Sequence, residues 1–224
     1  MMNEKVKKIV CDYSKKITIL TEDGYIHYHN FEVSMKYKFN YIDTNLSHIY
    51  GLIVGYLYRI NNDKLEKCGM LHNSIGKIKY FKCYWCGFTT ALFINHKNEL
   101  YLSRNGFVIF CKPIKIADNV KQADIRAYPT YSIICWVDFN NNSFIVKYRY
   151  IKKHPIKIPL FPNIKKILMN NLGIFVLTKD NDVHHIEMQE YFKNYGNIPQ
   201  WKFLSNNVNK IVTSKNKLLI LTTI

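Results

Sequence analysis

The sequence predicts an all-β fold: a β-propeller of about six short, degenerate blades, the last of them incomplete. Three observations predict it. A short phrase recurs along the chain, most copies are followed by a hairpin written in β-forming residues, and no stretch carries convincing helical periodicity. Repeats of about 40 residues that contain hairpins are the pattern of small sheets set around an axis. A β-sandwich or a solenoid is the competing architecture.

The recurring phrase is VKKI at 6–9, NLSHI at 45–49, SIGKI at 74–78, NVKQA at 119–123, NIKKI at 163–167 and NVNKI at 207–211. Anchored on the first apolar residue, the repeats start near 6, 46, 75, 120, 164 and 208, with steps of 40, 29, 45, 44 and 44. They make residues 1–224 a single repeat domain.

The hairpin phrases are TILTEDGYIHY, LYRINNDKLEK, LFINHKNELYL, CWVDFNNNSFIV and VLTKDNDVHHI, with LILTTI as a clipped final copy. Each full copy passes from one apolar run through Asp, Asn or Gly into another. These residues tolerate the positive φ of tight turns, so the pattern reads as a hairpin. In four copies the equivalent residue (Thr21, Ile60, Thr178, Thr222) lies 14 or 15 positions beyond its anchor.

A third phrase leads into the next copy: KYKFNYIDTNL, KPIKIADNV, HPIKIPLFPNI and QWKFLSNNV. Pro113 and Pro155 sit just ahead of alternating Ile and Lys. Proline cannot donate to a ladder, so it marks a strand start or an edge. These segments are read as the outer strand of one sheet leading into the next.

With 48% hydrophobic and 21% charged residues, the 224-residue chain can bury a real core and is not disordered. No apolar run approaches the ~20 residues that cross a bilayer. The N-terminal stretch MMNEKVKKIVCDYSKK has no apolar signal core, so the expected location is intracellular, cytoplasmic or nuclear, and not secreted. The six cysteines are then expected to be reduced and mostly buried.

The net charge is +16, from 28 lysines and only four arginines. Together with 24 asparagines and abundant Ile and Tyr, this composition also matches AT-rich codons. Whatever its origin, such a charge attracts polyanions. Lysine lacks the planar fork that reads guanine, so any nucleic-acid contact should ignore base sequence.

The repeats resemble the regulator of chromosome condensation family. Its members combine a Val/Ile-x-x-Ile phrase, a small residue with Gly, a run ending Leu-Thr, an Asp-Gly turn and an aromatic strand. The best copy is WCGFTTALFINHKNELYLSRNG at 85–106; VKKIVCDYSKKITILTEDGYIHY and NIKKILMNNLGIFVLTKDNDVHHI are further ones. The family's Gly-Gln-Leu-Gly signature is missing, Thr90 stands where His is usual, and there are six units instead of seven. The resemblance implies a propeller that binds protein partners. It also implies guanine-nucleotide exchange on a small GTPase, the namesake's activity, although no residue here matches the loops that activity needs.

Candidate chemistry is sparse. Cys83 and Cys86 supply two thiolates where structural zinc takes four ligands, and no second pair exists. His27 and His29 share one strand face without a third ligand, and His184 and His185 point to opposite faces. Asp23, Asp63, Asp138, Asp180 and Asp182 fall at hairpin turns. No catalytic, cofactor or metal residue is predicted.

The densest basic cluster is Lys147, Arg149, Lys152, Lys153 and Lys157, with Tyr148 and Tyr150 interleaved. Aromatic residues among basic ones can stack on single-stranded bases, so this is the candidate polyanion site. The leading functional expectation is a non-enzymatic interaction scaffold with an unknown protein partner. The alternative is sequence-independent binding of nucleic acid or chromatin.

Overall fold

The copies fold as antiparallel meanders, because each apolar run is short and ends at a turn that reverses it. In this computed structural model the described residues are 5–11, 17–27, 37–44, 48–61, 64–68, 75–85, 89–104, 113–149, 158–159, 161–187, 200–214 and 217–222. The first sheet contains β1 (Val6–Cys11), β2 (Ile17–Thr21) and β3 (Ile26–His27). The second contains β4 (Tyr41–Thr44), β5 (Ile49–Ile53), β6 (Tyr56–Asn61) and β7 (Lys64–Lys67). The third contains β8 (Ile78–Trp85), β9 (Thr89–Asn95), β10 (Leu100–Arg104) and β11 (Ile114–Ala117).

The fourth sheet contains β12 (Val120–Ala127), β13 (Tyr131–Asp138), β14 (Ser143–Arg149) and β15 (Ile158–Pro159). The fifth contains β16 (Ile164–Met169), β17 (Gly173–Thr178), β18 (Val183–Glu187) and β19 (Lys202–Ser205). The sixth has two strands among the described residues, β20 (Val208–Ser214) and β21 (Lys217–Thr222). Within every sheet, the strands lie side by side in the order of the chain. Three of the lead-in phrases supply β11, β15 and β19, the outer strands of their sheets, whereas KYKFNYIDTNL holds β4, the first strand of the second sheet.

Four sheets begin where the phrase places them, at Val6, Val120, Ile164 and Val208. The other two begin elsewhere. Residue 46 falls between β4 and β5, inside the second sheet, and lies outside the described residues. The third sheet begins at Ile78, beyond Ile75.

Hydrogen bonds mark the true starts. The N–H groups of Phe39, Ile78 and Val208 donate to the carbonyls of Gly24, Gly55 and Asn181, at 2.7, 2.9 and 2.8 Å. Each acceptor is a positive-φ residue in the preceding sheet's turn (φ 90, 82 and 67°). The copies therefore start at 6, 39, 78, 120, 164 and 208.

That turn is the same five-residue element in four sheets: TEDGY from Thr21, NHKNE from Asn95, DFNNN from Asp138 and TKDND from Thr178. The first residue's N–H donates to the fifth residue's carbonyl at 2.9–3.1 Å, and the fourth residue's N–H donates back to the first at 3.0–3.2 Å. The fourth residue holds positive φ, as Gly24 or as Asn98, Asn141 and Asn181. The first residue's side-chain oxygen accepts the fifth N–H, at 3.1 Å for Thr21, 3.0 Å for Asn95, 2.8 Å for Asp138 and 3.1 Å for Thr178. This is a three-residue hairpin loop, a type I turn closed by a left-handed residue.

The turn-opening residue pairs with the anchor of its own sheet: Val6 with Thr21, Ile78 with Asn95, Val120 with Asp138, Ile164 with Thr178. Val208 pairs with Thr222 in the same way. The register shifts at the residue after each of these anchors. That bulge twists the first strand.

The chain divides into two compact units, Met1–Ala117 and Asp118–Ile224. In the first, Val10, Leu20 and Ile26 of the first sheet pack on Phe39, Ile42, Ile49 and Ile60. Tyr50, Leu52 and Leu57 of the second pack on Ile78, Phe81, Cys83, Ala91 and Phe93 of the third. In the second unit, Ile133, Cys135, Val137 and Ile145 meet Ile164, Ile167, Met169, Ile174 and Val176. Phe175, Leu177 and Val183 meet Val208 and Ile211. Gly173 opens β17 where a Cβ would lie 2.1 Å from the Ile186 carbonyl oxygen, so a side chain there forces the strands apart.

Two buried carboxylates also cross these seams. Asp43 Oδ2 accepts the Cys83 N–H at 2.8 Å, and Asp124 Oδ2 accepts the Met169 N–H at 2.9 Å. Asp124 Oδ1 also accepts the N–H of Ile125 at 2.8 Å. Replacing Asp124 by Ala strands two buried donors. The Asp124→Ala protein is expected to lose about 1–3 kcal/mol for each group left unsatisfied, measured as a lowered midpoint in urea unfolding.

Candidate functional site

The first strand of a sheet carries a side chain, two residues past the anchor, that reaches toward the next sheet. In the first unit Lys8 Nζ lies 3.3 Å from Asp43 Oδ1 and 3.7 Å from the Tyr41 ring centroid. Tyr41 in turn meets Tyr80 at 5.2 Å and Phe81 edge-on at 5.3 Å. Burial lowers the Lys8 pKa, and the Asp43 carboxylate pulls against that shift. In the second unit Gln122 Nε2 donates to the Lys165 carbonyl and Lys166 Nζ to the Ile211 carbonyl, each at 3.0 Å. These polar groups stitch sheets together.

The sequence-predicted polyanion cluster is only partly described. Tyr150, Lys152, Lys153 and Lys157 lie outside the described residues, and Arg149 ends β14. Lys147 and Tyr148 alternate on β14, Lys147 half-buried and Tyr148 buried. Lys147 Nζ sits 4.6 Å from the Tyr131 ring centroid. Tyr131 stacks on Tyr128 at 4.5 Å and 23°, and the Arg126 guanidinium lies 5.5 Å over Tyr128. Lys147, Tyr131, Tyr128 and Arg126 thus form one basic and aromatic stack, and Lys147 alone of these belongs to the predicted cluster. Sequence reasoning missed the two tyrosines because they flank the β12–β13 turn, far in sequence from Lys147. Burial raises the Tyr131 pKa, with Tyr128 adding to it and Arg126 opposing it.

A second aromatic group gathers on the outer part of the fifth sheet. The Phe161 ring meets His184 at 4.8 Å and Trp201 edge-on at 5.4 Å, and His184 meets Phe203 at 5.5 Å. Pairing of His184 with Phe203 across β18 and β19 fixes the arrangement. Phe203 is 58% exposed and its neighbour Leu204 is also exposed, so the group ends in an apolar surface. The sequence showed QWKFL only as a lead-in. Its partners Phe161 and His184 come from another lead-in and a hairpin.

Of the other motifs, Cys83 is buried in the seam between the second and third sheets, where burial pushes its thiol pKa well up. Cys86 and His29 lie outside the described residues. His27 is buried; His184 and His185 lie against Phe161 and Phe175 respectively. Among the described residues, no group of three His, Cys, Asp or Glu side chains converges to hold a metal. No helix of the described residues is long and apolar enough to cross a membrane.

One carboxylate is held firmly in its charged form. Glu99 closes the third sheet's turn and accepts from Lys115 Nζ at 2.8 Å, Asn95 Nδ2 at 2.7 Å and Tyr101 OH at 3.1 Å. Those bonds, Lys115 first, bring its pKa down to about 2. A depressed carboxylate stabilises the fold above its unfolded pKa of about 4.3 and loses that contribution as pH falls toward the folded value. Thermal melting between pH 5 and pH 2 is therefore expected to show a shallower acid loss for Glu99→Gln than for the natural protein.

No known family's sequence profile matches this chain, and no curated protein matches it in sequence. Solved structures do match. The WD40 domain of SCAP from fission yeast superposes with a TM-score of 0.60 at 10% identity, over 96% of this chain and 56% of that one. BBS1N, solved in complex with ARL6DN, gives 0.62 at 10% identity, over 92% and 69%. Yeast RCC1 (Prp20), solved bound to Kap60, gives 0.58 at 12% identity, over 94% and 64%. This chain thus spans little more than half the length of the SCAP domain. The fold is a β-propeller fold, built from successive small antiparallel sheets.

Proposed function

We propose that the protein is a non-enzymatic interaction scaffold of the regulator of chromosome condensation repeat type, and that the aromatic group on the fifth sheet is its docking surface. The observation that carries this reading is exposed Phe203, tied through His184 and Phe161 to Trp201, with exposed Leu204 next to it in the chain. Aromatic residues that present an apolar face beside a polar tip dominate the energetics of protein interfaces. Similar folds solved with protein partners, such as BBS1N with ARL6DN and Prp20 with Kap60, support the reading by analogy of fold.

The test is quantitative affinity capture from the native cell with the natural protein and with Phe203→Ser. Proteins retained by the natural chain after nuclease treatment, and lost by a Phe203→Ser variant that melts normally, are the expected result. Equal capture by both proteins overturns the assignment of this surface.

A second reading, sequence-independent binding of nucleic acid, is favoured by the +16 charge and by the stack of Lys147, Tyr131, Tyr128 and Arg126. Arg149, Lys152, Lys153, Lys157 and Tyr150 would extend that surface. Binding of single-stranded DNA should then weaken steeply with added salt, ignore base sequence, and fall in Tyr131→Ala. Guanine-nucleotide exchange has no residue of this chain assigned to it, and nucleotide-release assays across small GTPases are expected to show no stimulation.

A further inference from the structure

Within each unit the seam between consecutive sheets has two halves. The earlier sheet contributes alternate residues of its second strand, as Phe175 and Leu177 do in the fifth sheet. The later sheet contributes its anchor and the residue three beyond it, as Val208 and Ile211 do. All four of these are at most 2% exposed.

Register carries the same two half-seams to the first and last sheets. Thr178 and Thr222 are equivalent because each pairs with its own anchor, so Leu219 and Leu221 stand where Phe175 and Leu177 stand in the fifth sheet. Leu219 and Leu221 are 57% and 45% exposed, with Val212 beside them at 41%. Val6 and Ile9 stand where Val208 and Ile211 stand, and they are 52% and 59% exposed, with Ile17 at 44%. The opposite faces of these two sheets are packed in the ordinary way, by Val10 and Leu20 in the first and by Leu218 and Ile220 in the sixth.

We propose that this protein associates head to tail with a second copy of itself, the Leu219 and Leu221 face of one copy seating on the Val6 and Ile9 face of the next. The proposal is independent of the docking surface on the fifth sheet. The occupant follows from continuity with an interface already present in the chain. The seam formed by Phe175 and Leu177 against Val208 and Ile211 is repeated, position for position, by Leu219 and Leu221 against Val6 and Ile9. Both new faces are aliphatic, as the packed seam largely is, and exposed apolar faces of this kind mark association sites. Because the two halves differ, the contact is heterologous and propagates unless the geometry closes it.

Sedimentation velocity over a wide concentration range tests it, using the natural chain, Ile9→Glu and Leu219→Glu. The substituted side chains are exposed, so each variant should keep its circular dichroism and, at dilutions where the natural chain is monomeric, its melting temperature. The natural chain is expected to grow in mass with concentration, and each variant alone to remain monomeric. A one-to-one mixture of the two variants should form a heterodimer of twice the monomer mass, since each retains the half-seam the other has lost. Phe203→Ser should associate like the natural chain. A natural chain that stays monomeric at every concentration overturns the proposal, as does association that survives both substitutions, or variants that fail to pair when mixed.

Discussion

The constraint on which the structure rests is that no sheet of two to four short strands can bury itself. Within each unit a sheet is stabilised as its neighbour covers its apolar face, so the seam between sheets is the unit of folding. Everything regular in the sequence serves that seam. The anchor and the residue three beyond it fill it, the side chain at the second position stitches across it, and buried Asp43 and Asp124 satisfy N–H groups on its far side. The turn carbonyl that receives the next anchor's N–H sets the spacing.

This explains the composition better than codon bias alone. All the non-glycine residues with positive φ among those described are asparagines except Val54: Asn98, Asn141 and Asn181 close turns, and Asn119, Asn163 and Asn207 precede anchors. Asparagine visits that region at lower cost than other side chains, so part of the asparagine excess is conformational. Part of the lysine excess is structural too. The lysine after the anchor donates to the turn asparagine of its own sheet, as Lys79 does to Asn98, Lys121 to Asn141 and Lys165 to Asn181. In NIKKI, then, Asn163 makes the bend, Ile164 and Ile167 fill the seam, Lys165 holds the turn and Lys166 reaches the next sheet.

That division of labour also shows why the fold was legible and two of its starts were not. The true second and third copies are Phe39-Asn40-Tyr41-Ile42 and Ile78-Lys79-Tyr80-Phe81. They keep the chemistry of the phrase, with apolar residues at the seam positions and a long side chain between. Tyrosine replaces the second lysine in both, and contact of the Tyr41 ring with Tyr80 replaces a hydrogen bond to a carbonyl. A search for the letters passes over them and finds NLSHI and SIGKI instead. Repeats governed by volume and register can change letters freely while the seam keeps its kind. The candidate surfaces were harder to see because they are not repeated at all: Phe161, His184, Trp201 and Phe203 come from separate phrases and meet only through strand pairing.

The same reasoning locates where function can reside. Anchors, bulge lysines, turn residues and stitching side chains are committed to holding sheets together, and changing any of them alters the frame before it alters a partner's contact. The outer strands are under no such constraint, since their outer edge pairs with no strand among the described residues. There the sequence is free to place residues the frame does not need. It places Phe203 and Leu204 outward on β19, against the expectation that outer strands carry polar side chains to discourage association. Lys202, the residue before them, is paired with Glu187 at 3.1 Å, so the neighbouring charge is neutralised as well. An edge strand that keeps its apolar residues and balances its charge lacks the usual protection against sticking, and that is the physical ground on which the proposed docking surface rests.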